Sequence, residues 1–203
     1  MRINPEKKED RERAAHSLLR VTLRLADAHG FVSLGLREVS RAADIAPTSF
    51  YRHFTDMEEL GRALVEDLAG PFIEQWCARA RAGAPARESF ALAVAREAIV
   101  GAAEDPELMR FILAEHTGAI RTFRTALGAK LSAVSAAVGA SLSADGSDAD
   151  SAVTAGDAVV VLVLGACTEL LDAGTEHATV VTDRVSSQIR LLLAGRAAER
   201  VLE

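Results

Sequence analysis

Cysteine, proline and aromatic residues are scarce in this chain of 203 residues, which has two cysteines, five prolines and 4% aromatic content. Cys77 and Cys167 lie far apart and form no CxxC motif, so the sequence predicts neither a disulfide framework nor a zinc site. Ala, Leu and Val are abundant instead, and hydrophobic residues make up 49% of the chain. This composition favours helices over sheets and suffices for a sizeable core in one or two domains.

The chain also has no uninterrupted apolar run of the length that a membrane span requires. Its longest apolar run, residues 158–167, is about half of a span, and Asp157 and Glu169 flank it. The N-terminal segment MRINPEKKEDRERAAH has no apolar centre of the kind that a secretory signal carries. We therefore expect a soluble, cytoplasmic protein without a membrane partner.

Signatures of catalysis are missing as well. None of the five histidines has the spacing of an HExxH motif, and neither a GxSxG motif nor a phosphate-cradling glycine loop is present. The sequence therefore predicts no catalytic residues, no metal site and no cofactor.

Charge is unevenly distributed along a chain whose formal net charge is −6. Residues 1–54 carry ten Lys or Arg against seven Asp or Glu, whereas residues 55–203 carry 13 against 22. A basic N-terminal segment followed by an acidic remainder of the chain suits a protein that binds DNA at one end and repels it elsewhere.

Apolar residues recur at helical spacing over residues 12–29, after a polar arm at 1–11, and Gly30 ends that helix. Further helices are predicted at 36–43, 47–53 and 56–81, the last with a capping box formed by Asp56 and Glu59.

The remaining helices are predicted at 86–104, 106–116, 119–140, 152–173 and 178–200, with Asp105 as the cap before Pro106. The breaks include Gly83-Ala84-Pro85, and the strongest linker signal is the stretch 141–151, SLSADGSDADS. The alternation typical of strands is absent. The prediction is an all-α chain of about nine helices, with a three-helix N-terminal unit at 1–55 and a larger helical unit at 56–203.

Residues 36–60, LREVSRAADIAPTSFYRHFTDMEEL, have the outline of a helix-turn-helix, the motif that places a helix in a DNA groove. Apolar side chains at 36, 39, 45, 50, 54 and 60 close a small core, which leaves polar groups on the second helix exposed: Thr48, Ser49, Tyr51, Arg52 and His53. Such groups bind phosphate oxygens and base edges. Pro47 suits the first turn, and Arg37 lies on the preceding helix where it crosses the DNA backbone. The alternative is a solvated surface helix, against which the exposed aromatic ring of Tyr51 argues.

The run IAPTSFYRHFTDMEEL, with LREVSRAA before it, resembles the DNA-binding domain of the TetR family of bacterial repressors. The resemblance rests on the aromatic–x–His–Phe element formed by Tyr51, His53 and Phe54 and on the acidic helix start that follows. It implies base and phosphate contacts at Pro47, Thr48, Ser49, Tyr51, Arg52 and His53 and a phosphate contact at Arg37. It also implies a homodimer on a palindromic double-stranded operator, since paired recognition helices read a palindrome.

Three positions depart from the family pattern. Asp44 stands in the turn where most members have Gly, Gly35 where a Ser or Thr caps the helix, and Met57 where many have Lys. Asp tolerates the left-handed backbone better than most residues, so the turn is expected to survive. The loss of a hydroxyl and of a cation removes phosphate contacts and predicts a shallower salt dependence of DNA binding.

The DNA-binding segment, taken together with the later run MRFILAEHTGAIRTFRTAL, resembles the FabR and DesT branch of the family. The resemblance is firm to residue 61 and patchy afterwards. It implies control of fatty-acid synthesis genes by a hydrophobic effector, long-chain acyl-CoA. The matched positions include Phe111, Glu115, Phe123 and Arg124. An acyl thioester needs an apolar cavity, to which Val160 and Leu164 are assigned, and cations for its phosphates, for which Arg121 and Arg124 are candidates. His116 is assigned as a polar pocket residue.

Three alternatives stay open for the second unit. Apolar residues at helical spacing form plain core in most helical proteins, and surface arginines are mostly solvated. A regulator of this family could instead sense a drug-like or other hydrophobic molecule and control efflux or catabolism. An enzyme acting on acyl thioesters is the alternative outside the regulator class. The last two helices, with apolar stripes that include Val181, Val185 and Ile189, are assigned to dimerisation.

Overall fold

The computed structural model describes residues 5–83, 89–143 and 149–202, with side chains described from 13 to 195 within those ranges. These residues form nine α-helices and no strand. The helices are α1 (Pro5–His29), α2 (Leu36–Ala42), α3 (Pro47–Phe50), α4 (Met57–Ala63, Leu64–Ala69 and Gly70–Gly83 without a break), α5 (Phe90–Glu104), α6 (Pro106–Glu115), α7 (Arg121–Ser143), α8 (Ala149–Ala173) and α9 (Ala178–Leu202). The predicted all-α fold is confirmed.

The first three helices and the start of α4 pack around one small group of apolar side chains. Val39, Phe50 and Leu60 are fully buried there, and Phe54 is nearly so. The rings of Phe50 and Phe54 lie with their centroids 5.9 Å apart. The core of this unit continues into that of the rest of the chain, so α1 to α4 are held firmly against the larger unit.

Helix α4 begins with the predicted capping box. Asp56 Oδ1 accepts a hydrogen bond from Glu59 N at 2.8 Å, and Glu59 Oε2 accepts one from Thr55 N at 2.5 Å. The reciprocal bond therefore reaches one residue further back than in the usual arrangement. The middle segment, Leu64–Ala69, is a π-helix, an insertion that is frequent at functional sites.

Small residues allow the helices of the larger unit to approach closely. The buried residues of α5 include alanine or valine at positions 91, 93, 94, 95 and 98. On α8, a Cβ atom at Gly156 would lie 2.4 Å from the carbonyl oxygen of Ser135 on α7. Both α7 and α8 contain stretches long and apolar enough to cross a membrane by length and composition. They pack against other helices through side chains of the common core.

Helix boundaries differ from the prediction in three places. Helix α1 begins at Pro5, so the expected arm at 1–11 is mostly helical. Helix α3 ends at Phe50 and residues 51–53 form a turn, so its predicted extension to 53 is wrong. The predicted linker at 141–151 is helical at both ends, and its centre, 144–148, lies outside the described residues. Ala84 and Pro85 of the predicted break also lie outside them.

Candidate DNA-binding surface and ligand clefts

Helix α2 ends in a tight turn that leads to α3. In this turn Asp44 takes the left-handed conformation, with φ 54°. Asp44 N donates to the carbonyl of Arg41 at 3.2 Å, and Ile45 N donates to that of Ser40 at 3.0 Å. This pair of hydrogen bonds is the Schellman arrangement, in which glycine usually takes the left-handed position. The turn therefore survives the replacement of glycine by aspartate, as the sequence predicts.

Gly35 precedes α2 in an extended conformation and provides no side-chain cap. At the next helix, Ala46 is the cap residue and Pro47 occupies the first turn. Proline fits there because its missing N–H would have no partner within the helix. The side chain of Phe50 is buried in the core. The other side chains of α3 therefore point away from the core.

The seven residues predicted to contact DNA lie together on α2, α3 and the turn that follows. Five of them are exposed, namely Arg37, Pro47, Thr48, Tyr51 and Arg52, while Ser49 and His53 are half-buried. Arg37 and Pro47 line one shallow cleft between α2 and α3, together with Arg41 and Asp44. Tyr51 is 61% exposed, although its ring packs edge-on against Phe50 at 5.9 Å. A rigidly supported, exposed phenol beside cationic side chains is suited to binding a partner.

The eight residues predicted to bind a ligand do not share one cavity. Arg121 and Phe123 line a cleft of about 510 Å³ between α4 and α7, the α4–α7 cleft, whose lining is mostly apolar and includes Arg62, Val65, Glu66, Ala126 and Ala129. Phe111 and Glu115 line a separate cleft of about 200 Å³, the α1–α6 cleft, together with Asp27 and Arg110. Val160 and Leu164 lie on α8 and line neither cleft.

An aromatic cluster connects these two clefts. The ring centroids of Phe31 and Phe123 are 5.1 Å apart, and each lies 6.4 Å from that of Phe111. Phe31 belongs to the N-terminal unit, whereas the other two rings belong to α6 and α7. The cluster therefore joins the linings of both clefts to the N-terminal unit.

Glu115, at the end of α6, is the one buried carboxylate among the described residues. Its Oε2 atom has no hydrogen-bond partner there, and burial raises the pKa of the carboxyl above its ordinary value. The α1–α6 cleft beside it also holds Asp27 and Arg110, whose side chains pair at 3.2 Å.

The polar side chains after Glu115 bind nearby backbone groups. His116 Nδ1 lies 2.8 Å from the carbonyl oxygen of Leu113, and a carbonyl only accepts, so this ring nitrogen carries a proton. Arg124 Nη1 donates to the carbonyl of Gly118 at 2.6 Å and thereby closes the connection between α6 and α7.

Sequence patterns gave no indication of Arg62, which faces the same cleft as Arg121 from a helix 59 residues earlier in the chain. They also did not indicate a third cleft beside Trp76. The apolar stripe assigned to dimerisation turns inward, since Val181, Val185 and Ile189 are buried in the core of the chain itself. A different face of α8 and α9 exposes Val153, Val161, Val180 and Leu191.

Solved structures of other proteins share this fold, and a family model matches the segment that contains the helix-turn-helix. Residues 18–64 match the family of bacterial regulatory proteins, tetR family. A TetR-family transcriptional regulator from Streptomyces coelicolor is 25% identical, with a TM-score of 0.71 over 90% of this chain and 95% of that one. A TetR-like regulator from Rhodococcus sp. RHA1 is 14% identical, with a TM-score of 0.74 over 90% and 96%. The transcriptional regulator FadR from Bacillus subtilis, solved in complex with stearoyl-CoA, is 16% identical, with a TM-score of 0.66 over 85% and 97%.

The all-helical fold with a helix-turn-helix at its N-terminal end is the fold of these solved regulators. The match to the tetR family of bacterial regulatory proteins covers residues 18–64, which include the helix-turn-helix and the start of α4. Members of this family are transcriptional regulators and not enzymes.

Proposed function

We propose that the protein is a homodimeric repressor that binds a palindromic DNA operator and responds to long-chain acyl-CoA, as in the FabR and DesT branch. Residues 1–55 are the DNA-binding domain in this proposal, and residues 56–203 bind the effector and form the dimer. The observation that carries the DNA-binding part is the exposed Tyr51, which buried Phe50 supports beside Arg52. Like its family, the protein would act in the cytoplasm.

The proposed DNA contacts are Arg37, Pro47, Thr48, Ser49, Tyr51, Arg52 and His53. The hydroxyls and cations among them match phosphate oxygens and the acceptor edges of bases in the major groove. Pro47, Thr48 and Ser49 lie in the first turn of α3, and base contacts in helix-turn-helix proteins come from the first residues of the recognition helix.

The proposed dimer forms through the exposed face of α8 and α9. Val153 and Val161 on α8, and Val180 and Leu191 on α9, lie at spacings of eight and eleven residues, which place each pair on one side of its helix. Exposed Gly165 and Gly195 have open space at the position of a Cβ atom, so a second copy can approach closely. Two recognition helices about one DNA turn apart then read the two halves of a palindrome.

The α4–α7 cleft is the proposed effector site. Its volume lies within the range of about 300–1,000 Å³ that small-molecule sites occupy, and its walls combine apolar side chains with Arg62 and Arg121. The arginines suit the phosphates of coenzyme A, and the apolar wall suits an acyl chain. The shared fold with FadR from Bacillus subtilis supports the same ligand class. The other predicted ligand residues, namely Phe111, Glu115, His116, Arg124, Val160 and Leu164, do not line this cleft and are left out of the proposed effector site.

Footprinting on the DNA that flanks the gene of this protein tests the DNA-binding part, and we expect a protected palindrome. Arg52→Ala should weaken specific binding by about tenfold or more if the guanidinium contacts a base, or reduce the salt slope by about one if it contacts phosphate. Arg190→Ala makes the same change in charge on α9 and should bind as the parent does. Equal affinity of the two variants would contradict the assignment of Arg52.

Thermal unfolding with palmitoyl-CoA, oleoyl-CoA and free coenzyme A tests the effector. Saturation with an acyl thioester at a hundred times its Kd should stabilise the protein by about 2.7 kcal/mol. Arg121→Ala should reduce that shift, whereas Arg81→Ala, outside the cleft, should not. No shift with either acyl thioester would exclude this effector and leave the DNA-binding proposal standing.

A further inference from the structure

A third cleft opens where the DNA-binding unit meets the body, on the opposite side of α4 from the proposed effector site. This Trp76 cleft measures about 370 Å³ and lies between α1, α4 and the corner where α5 passes into α6. Arg20 of α1 contributes to its wall, and Arg20 Nη1 binds Asp105 Oδ2 at the corner at 2.5 Å. The cleft is thus bounded by residues 85 positions apart, and both units of the protein shape it.

Trp76 forms the floor of the cleft and is the single tryptophan of the chain. Its side chain is 2% exposed, yet its Nε1 donor has no hydrogen-bond partner among the described residues. Gly101, another lining residue, leaves room over this donor, since a Cβ atom there would lie 3.6 Å from Nε1. A buried N–H without a partner is costly, and Trp76 lines the cleft, so this donor lies at the cleft's inner wall.

An aromatic wall stands beside this donor. The half-buried ring of Phe72 meets Trp76 edge-on with centroids 6.0 Å apart, and both rings line the cleft. Ring faces of this kind attract planar apolar groups and cations.

The charges of the lining are predominantly negative. Four carboxylates face two arginines around the cleft: Asp67, Glu97, Glu104 and Asp105 against Arg20 and Arg79. Glu104 and Asp105 are neutralised by Arg79 at 2.8 Å and by Arg20, and Glu97 pairs with Arg96 at 3.1 Å. Asp67 makes no ion pair in the described part of the chain, so one carboxylate is left over at the rim.

We propose that the Trp76 cleft is a second ligand site, which binds an organic cation that has a planar ring and a hydrogen-bond acceptor. The cation would lie near Asp67, the ring against Phe72, and the acceptor oxygen at Trp76 Nε1. An acyl-CoA, with its anionic phosphates, suits the arginines of the α4–α7 cleft better than this lining, in which Arg20 and Arg79 are already paired with carboxylates. The proposal goes beyond the acyl-CoA function and does not depend on it.

The test uses Trp76 as its own reporter. The full-length protein is titrated with 4-(aminomethyl)benzamide, a cation with a ring and an amide oxygen, and with 4-carbamoylbenzoate, its anionic counterpart. Tryptophan fluorescence, excited beyond the absorption of both probes, should change with the cation and saturate, and should change much less with the anion. Equal responses to both probes, or no response to the cation by fluorescence and by calorimetry, would overturn the proposal.

Two variants separate the cleft from non-specific binding. Asp67→Asn should weaken the cation by about two- to fivefold, the usual range for an exposed charge pair, whereas Glu58→Gln on the first turn of α4 should leave its affinity unchanged. If the two variants bind the cationic probe with equal affinity, the probe does not bind beside Asp67. Trp76→Phe, followed by calorimetry, should weaken the amide probe by about fivefold, as expected for one hydrogen bond, but not benzylamine, which has no acceptor. If Trp76→Phe does not fold, the affinities of Asp67→Asn and Glu58→Gln for the cationic probe still test whether the probe binds in this cleft.

Discussion

Gly61 on α4 lies directly against the ring of Phe123 on α7, so that a Cβ atom at position 61 would come within 2.1 Å of Phe123 Cζ. The same Cβ atom would meet the ring of Phe31 at 2.6 Å. Phe123 is 1% exposed and packs against two other rings, so it has little room to move. At this point the start of α4, Phe31 of the DNA-binding unit and the wall of the proposed effector cleft are in contact.

Gly61→Ala should therefore destabilise the protein, although alanine favours helix. Overpacking of a tight core costs about 1–3 kcal/mol, which exceeds the gain of up to about 1 kcal/mol from helix propensity. Urea unfolding at one fixed protein concentration measures the change, because a dimer's apparent stability depends on concentration. Gly128→Ala on α7, where a Cβ atom meets nothing within 4 Å, is the matched control and should stabilise. A Gly61→Ala variant as stable as the parent would show that the rings yield easily.

Asp44→Val should also destabilise, through the backbone of the α2–α3 turn. Position 44 has φ 54°, and a side chain with a branched Cβ pays about 1–2 kcal/mol there. Asp44→Asn should be neutral, because asparagine tolerates this conformation as aspartate does. Thermal unfolding of the two variants side by side gives the comparison. Equal melting temperatures for valine and asparagine would mean that the turn changes its conformation.

Glu115→Gln should change how stability depends on pH. Burial raises the pKa of this carboxyl in the folded protein, so between the unfolded and folded pKa values the folded state binds more protons, and stability falls as pH rises. The glutamine of the variant does not ionise, so the variant does not lose this stability as the pH rises. The stability of the variant relative to the parent should therefore rise as the pH is raised from about 4 to about 8. A relative stability that is flat over this range would show that the carboxylate is well solvated.

The two cysteines should differ in reactivity. Burial raises the pKa of the Cys167 thiol to about 12, and it raises that of Cys77 less strongly, beside the cation of Arg81. Because the thiolate is the reactive form, a thiol reagent at neutral pH should label Cys77 first and Cys167 only slowly. Cys77→Ala should remove the faster phase, and in denaturant both residues should react alike. A fast phase that persists in Cys77→Ala would mean that α8 opens readily.

Features that depend on neighbours in sequence were predicted well. The cap at Asp56, the stop at Gly30, the left-handed Asp44 and the burial of Phe50 and Phe54 all appear in the structure. Each of them rests on hydrogen bonds or spacing within a few residues. The end of α3 was missed because a helix and a following turn share the same short-range bonds, as in Arg52 N to Ser49 O.

The ligand residues were predicted less well, because their grouping depends on how helices pack. Phe123 and Arg121 face one cleft, Phe111 and Glu115 face another, and Val160 and Leu164 face neither. The stripe on α9 illustrates the same limit. Periodicity marks Val181 and Val185 as one apolar side, but it does not show whether that side meets the chain's own core or a second copy.

The sequence by itself determined the helices, the helix-turn-helix and the exposed polar side of its second helix, since local spacing, caps and a buried pair of phenylalanines specify them. Only the tertiary structure decided where the clefts lie and which charges face them. Arg62 and Arg121 line the same cleft, and Arg20 pairs with Asp105, across long separations in the chain. Such contacts form only when helices pack, and no short-range pattern records them.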